Sequence, residues 1–506
     1  MRWEIKTALP YNSFDYFDGT LITDNGFREY DVRWLVGKEV NPNGFLLLGK
    51  AYGTLIYELA LEDTVVVGHD FRAYSQELCR SFTVGLLSTG ARVIDVGLCL
   101  TPMVYFGQHR FNAKGGAMIT ASHNENGWAG IKLAKGLSST LGPEEIAAYK
   151  RIVKEGKYRQ GRGTYETCED LFGSYAEDLL ALGRPARPLK VVIATGNGTA
   201  GCFAPKVLRR FGCEIVEVDT IGDWNFPRHN PNPEDLSFLE GISRAVRESG
   251  AGIGVGIDGD GDRIGVVDDR GREVFSDKLG LIVAHWLCPQ APGRAVVIDV
   301  KSTGLFFDDP VLRNTGATVL LCKTGHSYIK AAVAESDAVA GFEKSGHWFF
   351  GRPFGRGYDD ALLSLSFLLR MLASSGRQLS ELVDSLPATY QSPTLSPYCA
   401  DGVKYQVVER MVREYMAARE AGVRIGGKLI RDLVTVNGIR FVLEDDSWGL
   451  VRASSNKPSL VVVAEARGSR EQLLAIIRDL QARLAVTGQV GEYDQQMPGL
   501  EANSHG

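Results

Sequence analysis

Thr64-Val65-Val66-Val67-Gly68-His69-Asp70 leads into a helix that ends at Thr89-Gly90, and Ala91-Arg92-Val93-Ile94-Asp95-Val96 follows. An apolar strand, a polar loop, a helix closed by glycine and a second β-branched strand make one α/β unit. The plan returns twice. Val191-Val192-Ile193-Ala194 precedes a helix stopping at Phe211-Gly212 and then Cys213-Glu214-Ile215-Val216-Glu217-Val218. Ala295-Val296-Val297-Ile298-Asp299-Val300-Lys301 precedes a helix to Thr315-Gly316 and then Ala317-Thr318-Val319-Leu320-Leu321. Each glycine suits the left-handed residue that ends a helix. Continuous apolar strands separated by helices need sheets covered on both faces, so the three copies predict three successive α/β domains with mixed, mainly parallel sheets.

Beyond about residue 390 the pattern changes to short alternating strands at 438–443, 449–453 and 460–466, ahead of a helix starting near Ser469-Arg470-Glu471. That reads as a smaller α+β C-terminal domain. The expected domains are residues 1–168, 169–280, 281–390 and 391–506, and the expected linkers, where Gly, Pro, Ser and charge accumulate, lie near 160–188, 275–293 and 374–402.

The 506 residues, 44% hydrophobic and 23% charged, supply large buried cores and exclude disorder, collagen and coiled coil. Lys and Arg number 56 against 61 Asp and Glu, a net charge of −5, with no long basic run. No general affinity for nucleic acid or anionic membrane is expected, so any positive site must be local. No apolar run reaches the ~18 residues that would span a bilayer, and the start, Met1-Arg2-Trp3-Glu4-Ile5-Lys6, carries acid and lacks a signal-peptide core. A cytoplasmic protein with no membrane partner is expected. The eight cysteines are scattered without a C-x-x-C pair, which predicts reduced thiols and neither disulfides nor structural zinc.

Four stretches carry chemistry. Thr120-Ala121-Ser122-His123-Asn124 follows the strand end Ala117-Met118-Ile119 and projects a serine from a loop; a capped turn is the plain alternative, and no G-x-S-x-G surrounds the serine. Asp258-Gly259-Asp260-Gly261-Asp262-Arg263 alternates three carboxylates with glycines and can wrap one hard divalent cation. A calcium EF-hand would need glycine where Arg263 stands and a glutamate where the chain has Asp269, and a solvated acidic turn is the remaining alternative. Gly341-Phe342-Glu343-Lys344-Ser345-Gly346-His347 offers a carboxylate, a hydroxyl and an imidazole suited to sugar hydroxyls. Arg452-Ala453-Ser454-Ser455-Asn456-Lys457-Pro458 sets a cation, hydroxyls and an amide on one turn, as a phosphate cradle or as a simple surface turn. A fifth, Gly196-Asn197-Gly198-Thr199-Ala200-Gly201 with Asp219 downstream, matches the dinucleotide fingerprint, although its glycines can equally serve close packing.

The four stretches, in this order and one per inferred domain, resemble the α-D-phosphohexomutase family, in particular its phosphomannomutase/phosphoglucomutase branch. Phe27-Arg28-Glu29-Tyr30-Asp31-Val32-Arg33 resembles the family's opening motif, and Lys323-Thr324-Gly325-His326-Ser327-Tyr328-Ile329-Lys330 its third-domain segment. The resemblance implies four domains around one central cleft and interconversion of hexose 1-phosphate and hexose 6-phosphate, of mannose or glucose, with a hexose 1,6-bisphosphate as intermediate and activator. It implies that Ser122 is phosphorylated, that Asp258, Asp260 and Asp262 hold Mg²⁺ with a phosphate oxygen on Ser122, and that Arg263 stabilises the moving phosphoryl group. Lys132 and His347 become the candidate base and acid, a base role requiring a lowered pKa at Lys132. Glu343 and Ser345 would read sugar hydroxyls, Arg452, Ser454, Ser455 and Asn456 would hold the non-reacting phosphate, and Tyr30, Arg33, His123, Lys301 and His326 would support the cleft. Departures from the pattern are Glu125 in place of a common proline, Trp34 in place of a common glycine, and Ser-Ser-Asn-Lys-Pro in the phosphate turn. An amino-sugar phosphate mutase is the alternative within the family, against which Lys344 and the Lys323 to His326 segment favour neutral hexoses; a non-catalytic sugar-phosphate binding protein is the alternative outside it.

Overall fold

The structure is a computed structural model that describes residues 14–455 and 457–495. The first sheet runs Val32–Leu35, Trp128–Gly136, Gly115–Ile119, Thr64–His69, Arg92–Leu98 and Thr164–Thr167, with Ser139–Thr140 on Trp128–Gly136. Thr64–His69 pairs in parallel with both neighbours, and Gly115–Ile119 turns back antiparallel into Trp128–Gly136. The second sheet repeats this: Ile253–Ile257, Lys190–Ala194 and Glu214–Val218 are parallel, and Ile253–Ile257 turns back into Ile264–Asp268. The third does so again, with Val319–Cys322, Val296–Asp299 and Ala340–Phe342 parallel and Ala340–Phe342 turning back into Trp348–Phe350. The fourth sheet, from Tyr390–Gln391 to Arg424–Ile425, is antiparallel throughout and packs the helices Lys404–Glu420 and Arg470–Val486 on its apolar face.

The expected architecture of three mixed-sheet α/β units and a smaller α+β unit is therefore what the chain adopts. The helix-ending glycines Gly90, Gly212 and Gly316 all have positive φ, at 95°, 80° and 72°. Three strands of the last sheet, Tyr390–Gln391, Arg424–Ile425 and Lys428–Val434, fall outside the expected ones, the last two because charged residues interrupt their alternation.

The linker expectation needs correction. Residues 275–293 hold the helix Ser276–Leu287, most of it buried. Its glycine and its aspartate are structural: Gly280 lets the Phe342 ring approach, since a Cβ there would stand 2.6 Å from that ring, and buried Asp277 accepts from Thr303 N at 2.7 Å and Gln391 Nε2 at 2.9 Å. Likewise 160–188 contains the edge strand Thr164–Thr167 and the helix Leu171–Ala181, and 374–402 contains Leu379–Asp384. One apolar core runs from Val66 through Val191 to Val296 and Leu365, so the first three units are packed against one another. Among the described residues no helix is long and apolar enough to cross a membrane, and all eight cysteines are free.

Candidate active site

All four motifs are turns of antiparallel hairpins. Ser122 lies between Gly115–Ile119 and Trp128–Gly136, Asp258 to Arg263 between Ile253–Ile257 and Ile264–Asp268, Glu343 to His347 between Ala340–Phe342 and Trp348–Phe350, and the Arg452 turn between Trp448–Ala453 and Leu460–Ala466. The turns meet in one cleft of about 560 Å³, within the usual range for a small-molecule site. Its lining includes Tyr30, Arg33, Ser122, His123, Lys132, Arg263, Lys301, His326, Glu343, Ser345, His347, Arg452, Ser454 and Ser455, all of them expected from the sequence. Asn456 lies outside the described residues.

Ser122 is buried and its backbone sits at φ 52°, a left-handed conformation uncommon outside glycine. The loop is held there by two residues that the sequence reading did not single out. Arg72 donates to Ser122 O at 3.0 Å, Asn124 O at 2.5 Å and Glu125 O at 2.8 Å, and Asp70, at the end of Thr64–His69, pairs with Arg72 at 3.3 Å and accepts from Ala121 N at 3.3 Å. Their position at the carboxyl end of a parallel strand was the available signal, because ligands of open α/β sheets gather there. The Ser122 hydroxyl donates to Asp258 Oδ2 at 3.0 Å and lies 3.3 Å from His123 Nδ1. Burial, with the cations around it, holds the His123 imidazole well below its ordinary pKa, hence neutral. Glu125 is exposed at the mouth of the cleft.

Asp258, Asp260 and Asp262 are completely buried, and each offers an oxygen within 4.8 Å of the others. Asp258 Oδ1 is fixed by three backbone N–H groups, from Gly261, Asp262 and Arg263 at 3.0, 3.0 and 3.2 Å. Asp260 Oδ1 and Asp262 Oδ1 are buried and accept no hydrogen bond among the described residues. An all-oxygen set with orphaned, buried carboxylate atoms fits a hard divalent cation. Burial and the two neighbouring carboxylates raise the pKa of Asp258, whereas at Asp260 the Lys132 ammonium outweighs burial and holds the carboxyl low.

That ammonium is ion-paired to the loop. Lys132 Nζ lies 2.7 Å from Asp260 Oδ2 and closer still to Asp262 Oδ2, and although burial disfavours its charge, these carboxylates raise its pKa above the ordinary lysine value. In this arrangement Lys132 is ion-paired to the acidic loop, and a base role needs the opposite shift. Arg263 is paired with the loop as well, with Nε 3.1 Å from Asp258 Oδ2. At His347 burial disfavours the imidazolium, but Asp262 at 3.7 Å and Asp359 at 2.9 Å from Nδ1 outweigh it and raise its pKa. Asp359 is another residue the sequence reading missed. It is itself held by Lys330 Nζ at 3.0 Å, which also donates to Tyr105 OH at 3.0 Å.

On the far side of the cleft, Ser345 Oγ donates to Glu343 Oε1 at 2.6 Å, and Lys301 Nζ stands 3.7 Å from the same oxygen. Arg33 is clamped by Asp31 at 2.8 and 2.9 Å and reaches Asn124 Oδ1 at 2.5 Å, while Tyr30 packs edge-on against His326 with ring centroids 4.9 Å apart. In the last turn Arg452 Nη1 donates to Ala453 O at 2.8 Å and its buried Nε has no acceptor among the described residues. Lys404 braces that turn by donating to Ser454 O at 2.6 Å and Lys457 O at 3.2 Å. Lys344 does not join the cleft; its side chain faces an adjoining chamber. The glycines of the dinucleotide-like stretch serve packing: a Cβ at Gly201 would stand 2.0 Å from Thr220 O and one at Gly198 3.1 Å from Thr195 O, so they permit close backbone contact.

Residues 24–160, 174–271, 275–390 and 403–482 match, in turn, the phosphoglucomutase/phosphomannomutase alpha/beta/alpha domains I, II and III and the C-terminal domain. The chain is 33% identical over 455 residues to the phosphomannomutase/phosphoglucomutase of Pseudomonas syringae pv. tomato, covering 89% of this chain and 93% of the relative. It is 32% identical over 472 residues to the phosphoglucomutase/phosphomannomutase of Thermococcus kodakarensis, covering 90% and 99%. The crystal structure of a phosphoglucomutase/phosphomannomutase family protein from Burkholderia thailandensis superimposes with a TM-score of 0.83 at 29% identity, over 94% of this chain and all of that one. With the Ser122 loop and the turns of the other three units meeting in one cleft, the chain belongs to the phosphoglucomutase/phosphomannomutase family and is a hexose phosphate mutase.

Proposed function

We propose that the chain interconverts the 1- and 6-phosphates of mannose, glucose or both through phospho-Ser122 and a hexose 1,6-bisphosphate. The observation that carries this reading is the Ser122 hydroxyl, buried at positive φ and 3.0 Å from Asp258, facing the sugar and phosphate turns across one cleft. A protein that only bound sugar phosphates would have no use for a hydroxyl so held.

In this reading the phosphoryl group leaves Ser122 Oγ for the free hydroxyl of a hexose monophosphate, one P–O bond breaking as the other forms. The resulting bisphosphate turns over, its other phosphoryl group returns to Ser122, and the isomeric monophosphate departs. Arg263 neutralises charge on the moving group, and Lys132 and His347 are the pair of which one takes the proton of the attacking hydroxyl and the other returns a proton to the departing oxygen. Glu343 and Ser345 orient the sugar hydroxyls, while Arg452, Ser454 and Ser455 hold the phosphate that is not reacting, with Tyr30, Arg33, His123, Lys301 and His326 completing the walls. Asp258, Asp260 and Asp262, with an oxygen on phospho-Ser122, would hold Mg²⁺, which supplies charge neutralisation at that phosphate. A trace of hexose 1,6-bisphosphate would phosphorylate Ser122 wherever it is bare. Free and largely buried thiols suit the reducing cytoplasm, which we take as its compartment.

³¹P NMR of the protein with Mg²⁺, a trace of glucose 1,6-bisphosphate and either mannose 1-phosphate or glucose 1-phosphate tests the reading. Growth of 6-phosphate signals, abolished by Ser122→Ala in a folded protein, is expected. Silence of the folded wild type with both sugars and with glucosamine phosphates would overturn it.

A further inference from the structure

Arg28 stands near the start of the first unit, two residues ahead of Tyr30, and both line the cleft. Its side chain is largely buried at the seam between the first and last units, where Nη1 lies 3.4 Å from Asp401 Oδ2. Nε is buried and has no acceptor among the described residues. A guanidinium carries five donors in a fork that fits two oxygens at once. Arg356 uses that fork fully, gripping both oxygens of Asp178 at 2.5 and 2.6 Å, and Arg33 holds Asp31 with two nitrogens. Arg28 meets Asp401 through one long contact, and Asp401 is half-exposed. The seam borders the phosphate turn: Asp401 Oδ1 accepts from Lys404 Nζ at 2.7 Å, and the same ammonium donates to Ser454 O and Lys457 O. Arg452, Asp401 and Glu29 act together on the Tyr405 phenol there; burial raises its pKa, the two carboxylates add to the rise and Arg452 opposes it. Of the neighbouring acids, Glu29 accepts from Tyr328 OH and Asp31 is clamped by Arg33, which leaves Asp401 as the carboxylate on Arg28.

We propose that Arg28 is a further ligand of the substrate's non-reacting phosphate, held by Asp401 while the cleft is empty. The proposal rests on the mutase reading above. A phosphate presents the adjacent oxygens that a guanidinium fork fits, and its two charges attract the fork more strongly than one half-exposed carboxylate does. A phosphate seated on the Arg452 turn draws Arg28 away from Asp401, so that the first unit grips the same group as the last. Asp401 is then a competitor for Arg28, and removing its charge strengthens binding.

The test uses the Ser122→Ala protein, in which substrate binds without reacting, and titrates it with glucose 1-phosphate in a calorimeter. Loss of one hydrogen bond to a charged group predicts that adding Arg28→Met weakens binding about tenfold or more. Arg28→Lys, which keeps the charge and loses the fork, should fall between. An exposed ion pair is worth little, so adding Asp401→Asn, whose amide oxygen still accepts from Lys404, should tighten binding by about twofold to fivefold. The opposite signs distinguish a ligand from a structural tie: either substitution breaks the tie, and both would then weaken binding or leave it alone. Asp401→Asn that binds no more tightly than its parent overturns the proposal, and so does a folded Arg28→Met that binds as well as its parent. Failure of the folded Ser122→Ala parent to bind glucose 1-phosphate at all would instead overturn the mutase reading beneath it.

Discussion

Gly259 lies so close to Ser122 that a Cβ built on it would stand 2.3 Å from the Ser122 carbonyl oxygen. The acidic turn of the second unit is therefore seated directly against the serine loop of the first, and only a residue without a side chain permits that distance. Gly259→Ala must push the two loops apart. A displacement near 1 Å between reacting groups costs about 10²-fold in rate, so kcat should fall by about that factor while the circular dichroism spectrum stays unchanged. Retention of more than half the activity would show that the loops need no such contact.

The acidic turn also predicts a metal-linked stability. A ligand present at ~100 times its dissociation constant stabilises the fold by about 2.7 kcal/mol, so Mg²⁺ should raise the melting temperature and a chelator should reverse the gain and stop turnover. Asp260→Asn removes one oxygen charge and should abolish the increase. A melting temperature indifferent to Mg²⁺ in wild type would count against a cation at these carboxylates.

Asp359 and His347 predict a pH signature. The raised pKa of His347 means that its ion pair stabilises the fold fully below the unfolded value near 6.5, and that this contribution disappears as pH rises through the raised folded value. Asp359→Asn lowers the His347 pKa, so the alkaline limb of the kcat profile should move to lower pH, with little change well below pH 6. An unmoved limb would remove His347 from the role of acid.

Arg440 ties the last unit to the third. Its Nη1 donates to Val300 O at 2.9 Å and Ser302 O at 2.8 Å, on either side of Lys301, and its guanidinium stacks 3.9 Å above the Trp448 ring. Arg440→Ala leaves two buried carbonyls without their donor and opens a void, which predicts a loss of roughly 3–5 kcal/mol in urea denaturation. KM should rise as well, because Lys301 loses its seat. A loss under ~1 kcal/mol, within the range of an ordinary surface substitution, would refute the tie.

What the sequence disclosed and what it withheld follow from the range of the interactions involved. Ser122, the three aspartates, Glu343 to His347 and the Arg452 turn each act through a few consecutive residues on a hairpin, so local pattern is enough to find them. Asp359, Lys330, Arg72 and Arg440 act on segments brought close only by folding. Asp359 sits beside the helix cap Asp360 and reads locally as ordinary helix punctuation. The charge and glycine of Ser276–Leu287 read as a linker because sequence cannot tell a buried aspartate with partners from a solvated one. Lys132 was visible as a basic group near the serine, but its protonation depends on carboxylates more than a hundred residues away.

The four hairpin turns also set an order of events when the chain folds. Each turn can form with its own sheet, yet the cleft exists only after Ser122 has met Asp258 across 136 positions of chain and the Arg452 turn has docked. Contacts of such long range are closed late, after local structure has formed. In refolding from urea, recovery of the far-ultraviolet signal should precede recovery of turnover, and the lag between them would time the docking of the last unit.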